Sequence, residues 1–318
     1  MKVHRTIPAA AEQSIALTIG NFDGVHLGHQ AMLRRLREAA TALGVPACVM
    51  TFEPHPREFF APDQAPTRLT SLREKLELLQ RQRVDQVYIC RFNFDFARVS
   101  AQGFIQNILK ERLGVRWLLV GDDFRFGARR AGDSGMLRAA SRTLGFDVAE
   151  MPSVDVAGLR VSSTAIRDSL AEGRIAQAAR LLGRPYSISG RVVRGDQIGR
   201  TLGFPTANVQ MKHNRPPLAG IFVAQMEGLP EGPRAGAASL GVRPTIAGSG
   251  RPVLEIHLLD FAREIYGQHV RIAFLERLRE ERKYADLVAL TRQISLDVEQ
   301  TRAWFERNRP KPALMRNG

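Results

Sequence analysis

The sequence predicts an α/β domain on a parallel, doubly wound sheet, followed by a small antiparallel β-barrel with a C-terminal helix. Two observations carry this. The first half alternates short β-rich runs with apolar residues at helical spacing, the pattern of βαβ units. The second half breaks into short strand-like runs separated by Gly/Pro-rich turns. At 318 residues the chain is long for one core and comfortable for two.

In order, residues 15–19 form a β-rich run. Met32, Leu33, Leu36, Ala40 and Leu43 then recur at helical spacing until Gly44 ends the helix. Residues 47–52 return as a strand. Ser71 and Glu74 form a capping box ahead of Leu72, Leu76 and Leu79. Strands are predicted at 86–90, 117–120 and 147–151, and helices at 101–113 and 134–144, closed by Gly114 and Gly145. Gly183-Arg184-Pro185-Tyr186 punctuates the chain, so the expected domains are 1–182 and 183–318. Beyond it, strand-like runs cover 187–194, 221–226, 235–240, 254–259 and 270–274. Leu287, Leu290, Ile294, Val298 and Phe305 share one face of a last helix, stopped by Pro310, and the tail 310–318 is expected to be disordered.

Composition narrows the class. Apolar residues at 44% and charged residues at 25% are ordinary for a globular protein. No run of 18 apolar residues and no apolar segment after Met1-Lys2-Val3-His4-Arg5 are found, so neither membrane span nor signal peptide is expected. Cys48 and Cys90 are isolated in apolar runs and read as buried thiols of a reducing, cytoplasmic compartment. The net charge of +14 favours anionic ligands. Nucleotide phosphates and nucleic acid are both candidates, an Arg-rich composition is the plain alternative, and because the arginines are dispersed rather than blocked, charge alone is weak support for nucleic acid.

Two stretches carry chemistry. The first runs from Gly20 to His29, between strand and helix, and contains Asn21, Phe22, Asp23, Gly24 and His26. Its glycines let backbone amides approach a ligand, and a helix N-terminus suits phosphate. His26 and His29, three apart, can face the same phosphate. His26-Leu27-Gly28-His29 resembles the His-x-Gly-His signature of nucleotidylyltransferases. Ser162, Ser163, Thr164 and Arg167 open a later helix; alone they read as an N-cap with a surface arginine, and beside the histidines as a second phosphate clamp. The 52–56 loop, with Phe52, His55 and Pro56, and the 121–127 loop, with Asp123 and Phe126, follow strands at the same sheet end. An aromatic, Pro-rich lining there suits a flat ring.

The second stretch is Gly199-Arg200-Thr201-Leu202-Gly203-Phe204-Pro205-Thr206-Ala207-Asn208. Thr206 and Asn208, two apart on an extended segment, offer hard oxygens to Mg²⁺. Taken alone, the stretch is a turn into a strand with both side chains in water. Downstream, Glu255 and His257 share one strand face opposite Leu254, Ile256 and Leu258. On an inward barrel face, Glu255 could take a proton from an alcohol.

Together these stretches, with the 183–186 linker, Asp260, Tyr266-Gly267 and Leu278-Arg279, closely resemble the bifunctional bacterial riboflavin kinase/FMN adenylyltransferase family, also called FAD synthetase. The resemblance spans nearly the whole chain. It implies a Rossmann-like nucleotidylyltransferase domain and a barrel kinase domain, with riboflavin, FMN and ATP as substrates and Mg²⁺ as cofactor. It implies no nucleic-acid or membrane partner and a monomer or weak homo-oligomer. In the adenylyltransferase, Gly20, Asn21, Phe22, Gly24, His26 and His29 would bind ATP, with Ser162, Ser163, Thr164 and Arg167 opposite. Phe52, His55, Pro56, Asp123 and Phe126 would face the flavin. In the kinase, Gly199, Arg200, Gly203 and Thr206 would bind ATP, Thr206 and Asn208 would hold the metal, Glu255 would be the base, and Arg279 would lie on the flavin side. Ser239 departs from the family, which often has Asn there. Two other readings compete: a nucleotidylyltransferase of another substrate with an accessory barrel, and a basic RNA-binding protein. The Thr206–Asn208–Glu255 set argues against the first, and the dispersed arginines against the second.

Overall fold

The computed structural model describes residues 1–195, 198–243 and 251–308. The expected helix stop at Pro310 and the tail 310–318 lie outside the described residues. The chain divides into two compact units, Met1–Ser163 and the remainder from Thr164.

The first unit holds a six-stranded sheet of β1 (Lys2–His4), β2 (Ile15–Ile19), β3 (Ala47–Glu53), β4 (Gln86–Arg91), β5 (Val115–Gly121) and β6 (Asp147–Met151). The order is β1-β4-β3-β2-β5-β6, and every pair is parallel. All five residues of β2 are buried, as expected of a parallel strand covered on both faces. Ile15, Leu17 and Ile19 join one apolar cluster with Phe104, Leu109 and Leu118; Ala16 joins the other with Phe22, Leu33, Leu36 and Leu79. Cys48 and Cys90 lie buried in β3 and β4, and burial pushes both thiols up to about 12. The order reverses at β2, between β3 and β5. In open α/β sheets, ligands bind at this switch point, beyond the carboxyl ends of the strands. The Gly20–His29 turn leaves β2 there.

Three features differ from expectation. β1, only three residues long, extends the sheet beyond β4. A hairpin of β7 (Asp155–Val156) and β8 (Leu159–Arg160) follows β6. Both are too short to show an alternation in sequence. The predicted 101–113 helix is α-helical only at Ala101–Gly103 and π-helical over Phe104–Arg112.

From Thr164 the second unit holds the rest of helix Ser163–Ala171 and then helix Ile175–Leu182. The division thus falls ahead of the 182/183 boundary expected from the linker. Ile175, Ala178, Leu181 and Leu182 are buried, and the helix that carries them packs on β9 (Tyr186–Val193) and β14 (His269–Arg279). The closed barrel also contains β10 (Ala207–Met211), β11 (Gly220–Glu227), β12 (Arg234–Arg243) and β13 (Arg251–Leu258), in the order β10-β13-β12-β11-β14-β9. All of its pairings are antiparallel. β10 is absent from the predicted runs; only Val209 of its residues is buried, and its place is fixed by pairing with β9 and β13. Helix Leu287–Arg307 docks on β11 and β12. Among the described residues no helix is long and apolar enough to cross a membrane.

Candidate active sites

In the first unit the site is the turn leaving β2. Phe22 and Val25 take left-handed backbone conformations (φ 49° and 40°), which are costly for side chains of this kind. Both side chains are fully buried, and that packing holds the strained backbone. Asp23 fixes the turn to residues 69 and 70. Its carboxylate accepts from Leu69 N (3.0 Å), Thr70 N (2.9 Å) and the Thr70 hydroxyl (3.0 Å). The Ser163 hydroxyl donates to the Asp23 carbonyl at 3.0 Å. The aspartate is therefore a structural clamp inside the motif.

His26 caps helix Leu27–Leu43, its Nδ1 accepting from the His29 amide at 3.3 Å. With Nδ1 accepting, the other ring nitrogen, Nε2, is the one that can donate. The His26 and His29 rings stack at 3.6 Å and 16°, and Phe22 lies 4.9 Å from His29 on another side. Gly28 lets this happen: a Cβ there would sit 3.2 Å from the His26 ring. Burial, with His26 and Lys75 adding their charges, holds the His29 imidazole well below the ordinary value, so it stays neutral. Two buried polar atoms at this turn have no partner, Asn21 Oδ1 and His29 Nδ1. Each such orphan costs about 1–3 kcal/mol. A pair of them around one helix N-terminus describes a place built for a polar ligand.

The residues expected at the flat ring have mixed surroundings. Phe52 is half-buried among Phe92 and Phe96. Phe59, Phe60 and Phe94 extend this aromatic group, with Phe60 and Phe94 exposed. His55 caps the short helix Pro56–Phe60, in a reciprocal box with Glu58. Phe126 is buried against Phe104 and Phe124, so it packs the core. Asp123 is exposed, with Arg160 3.9 Å away. Thr164 and Arg167 belong to the second unit.

In the barrel, Asn208 on β10 pairs directly with Glu255 on β13, and Glu255 pairs with Ser239 on β12. Directly opposed residues bring their Cβ atoms to about 5 Å, so the amide, the carboxylate and the hydroxyl form one row. Leu254, Ile256 and Leu258 fill the buried side of β13. The expected inward placement of Glu255 is therefore corrected: it lies on the outer wall. A six-stranded interior is packed with apolar side chains, and a carboxylate there would lose its hydration. The motif loop covers this wall. His257 Nδ1 donates to the Pro205 carbonyl at 2.9 Å, and Phe204 meets the His257 ring edge-on at 5.6 Å. Gly203 takes φ 86°, and a Cβ on Gly195 would fall 2.3 Å from the Asn208 amide. Main chain thus approaches Asn208 where any other residue would block it. Arg279 is held elsewhere: it forms a bidentate pair with buried Asp297 (2.9 and 2.6 Å) on the last helix.

The sequence reading missed Lys75, bonded to Thr51 behind the first turn, and Arg68, held between Glu53 and Glu58. A lysine four residues into a capped helix gives no sign of burial.

The FAD synthetase family matches residues 9–165 and the riboflavin kinase family residues 182–305. A bifunctional riboflavin kinase/FMN adenylyltransferase of Escherichia coli K12 is 46% identical over 95% of this chain and 96% of its own. Its counterpart from Pseudomonas fluorescens is 48% identical over 90% and 91%, and that from Haemophilus influenzae 44% over 92% and 95%. Among solved structures, a Streptococcus pneumoniae protein described as a macrolide-efflux protein superposes with a TM-score of 0.80 at 29% identity, covering 94% of this chain and 99% of that one.

Proposed function

The chain belongs to the family of bifunctional riboflavin kinase/FMN adenylyltransferases, and from that premise we propose which residues carry each reaction. It phosphorylates riboflavin with ATP, giving FMN and ADP, and transfers AMP from a second ATP to FMN, giving FAD and pyrophosphate.

For adenylyl transfer, the Gly20–His29 turn holds the ATP phosphates. A phosphate oxygen of FMN attacks the α-phosphorus in line, and pyrophosphate leaves. No protein nucleophile is needed; the work is positioning and charge stabilisation. His26 and His29 stand side by side at the helix start to receive the phosphates, and Asn21 lies near the reacting phosphate, its Oδ1 able to accept from a ligand donor. Ser162, Ser163, Thr164 and Arg167 add phosphate ligands. The aromatic group around Phe52 takes the flavin, with His55, Pro56, Asp123 and Phe126 as its other neighbours.

For the kinase, Glu255 accepts the proton of the riboflavin 5′-hydroxyl as that oxygen attacks the γ-phosphorus, and ADP leaves. The register of Asn208 against Glu255 is the observation that supports this best. Gly199, Arg200, Gly203 and Thr206 hold ATP, and Arg279 faces the flavin. The donors suit Mg²⁺: Thr206 and Asn208 offer neutral oxygens, and the Gly195 cradle leaves room at Asn208. Bound there, the ion would neutralise phosphate charge. The adenylyltransferase is assigned to 1–182 and the kinase to 183–318. Free, buried thiols support a cytoplasmic protein, acting without nucleic acid or membrane, as a monomer or weak homo-oligomer.

Incubation with riboflavin, ATP and Mg²⁺, followed by chromatography, should give FMN, then FAD and pyrophosphate. FMN as the sole flavin product at every ATP concentration would overturn the reading.

A further inference from the structure

Helix Leu72–Arg81 buries a lysine. Lys75 is 5% exposed, and among the described residues no carboxylate lies within ion-pair distance of its ammonium. Its hydrogen bond is a long one, Nζ to the Thr51 hydroxyl at 3.4 Å. Buried ammonium groups are rarely left like this, because the lost hydration is not replaced. The carboxylates of Asp23, Glu53 and Glu58 attract it from beyond ion-pair distance, Asp23 most strongly, and each is also held by other donors. Glu53 and Glu58 both bind Arg68, and Asp23 accepts from residues 69 and 70.

The position is also connected. The Thr51 hydroxyl donates to the Asn21 carbonyl at 3.3 Å, so a chain of two hydrogen bonds links Lys75 to the phosphate-facing turn. On that turn, Asn21 Oδ1 and His29 Nδ1 are the orphaned atoms. The lysine charge also helps to keep His29 neutral.

We propose that Lys75 is a positioning residue for adenylyl transfer: its buried ammonium, drawn by the Asp23 carboxylate and linked through Thr51 to Asn21, holds the turn and its charge in the arrangement that receives the phosphates of ATP. This rests on the assignment of the turn to ATP phosphates. In a buried, low-dielectric region a fixed charge acts on its neighbours more strongly than it would in water.

The test compares Lys75→Met, Thr51→Val and His29→Ala in the full chain, with FMN and ATP, with riboflavin and ATP, and by melting without ligand. Methionine keeps the length of the stem and removes the charge. Lys75→Met should phosphorylate riboflavin normally and melt at or above the wild-type temperature. Its kcat for FMN adenylylation should fall at least about tenfold, below the effect of losing a direct donor. Thr51→Val should fall in the same direction by less. A lysine of purely structural value would do the reverse, lowering the melting temperature with kcat intact, and that result overturns the proposal. A kcat near wild type in Lys75→Met beside a collapsed one in His29→Ala overturns the role of Lys75 alone. A normal kcat in both overturns the assignment of the turn itself. If Lys75→Met fails to fold, Thr51→Val decides, and wild-type adenylylation there overturns the link.

Discussion

Replacing His29 by alanine removes an imidazole that burial and its neighbours keep neutral. FMN should accumulate from riboflavin while FAD formation falls by about 10²–10³, the usual cost of a lost preorganised donor. Flavin chromatography over time measures both. The same side chain carries a pH signature. Its folded pKa is depressed, so its contribution to stability is complete above the unfolded value, about 6.5, and is lost as pH falls below it. The melting temperature of His29→Ala should therefore decline less than wild type between neutral and mildly acidic pH. In the barrel, Glu255→Gln keeps the shape and removes the proton acceptor. Riboflavin phosphorylation should drop by roughly 10²–10⁴, while supplied FMN still becomes FAD. Wild-type phosphorylation by this variant would show that Glu255 is not the base.

At the scale of elements, the last helix is tied to the barrel by charge as much as by apolar packing. Asp297 holds Arg279 of β14, with 5% and 14% of the two side chains exposed. Arg302 grips Asp260 at 2.7 and 3.0 Å. Motif residues that looked functional in sequence thus also anchor an element. Removing one partner of a buried pair leaves the other uncompensated and costs about 3–5 kcal/mol. Asp297→Ala should lower the denaturant midpoint accordingly. If Arg279 lies on the flavin side as proposed, the KM for riboflavin should rise with it, because Arg279 loses the group that orients it.

For the whole molecule, the question is where one unit ends. The family matches stop at 165 and resume at 182, and helix Ile175–Leu182 lies between them, packed on β9 and β14. A fragment of residues 164–318 should unfold at higher urea than one of 183–318. Loss of buried Ile175, Leu181 and Leu182 removes about 1.5–3 kcal/mol for each. Equal stabilities would return the boundary to the linker.

Much of this was legible in sequence because it is written at short range. The helical spacing of Leu33, Leu36 and Ala40, the capping box at Ser71, and the turn from Gly20 to His29 each depend on neighbours within a few residues. So did the paired faces of β13, with Glu255 and His257 on one side and Leu254 and Ile256 on the other. What tertiary structure decided was which face looks where and which distant groups meet. β13 could not tell inside from outside until the barrel closed and its apolar face filled the interior. Asn208 and Glu255 are brought together by register between strands 47 positions apart in number. Lys75 looked like an ordinary helix lysine until β3 and the turn were laid against it, and burial, the property that marks it, exists only in the folded chain.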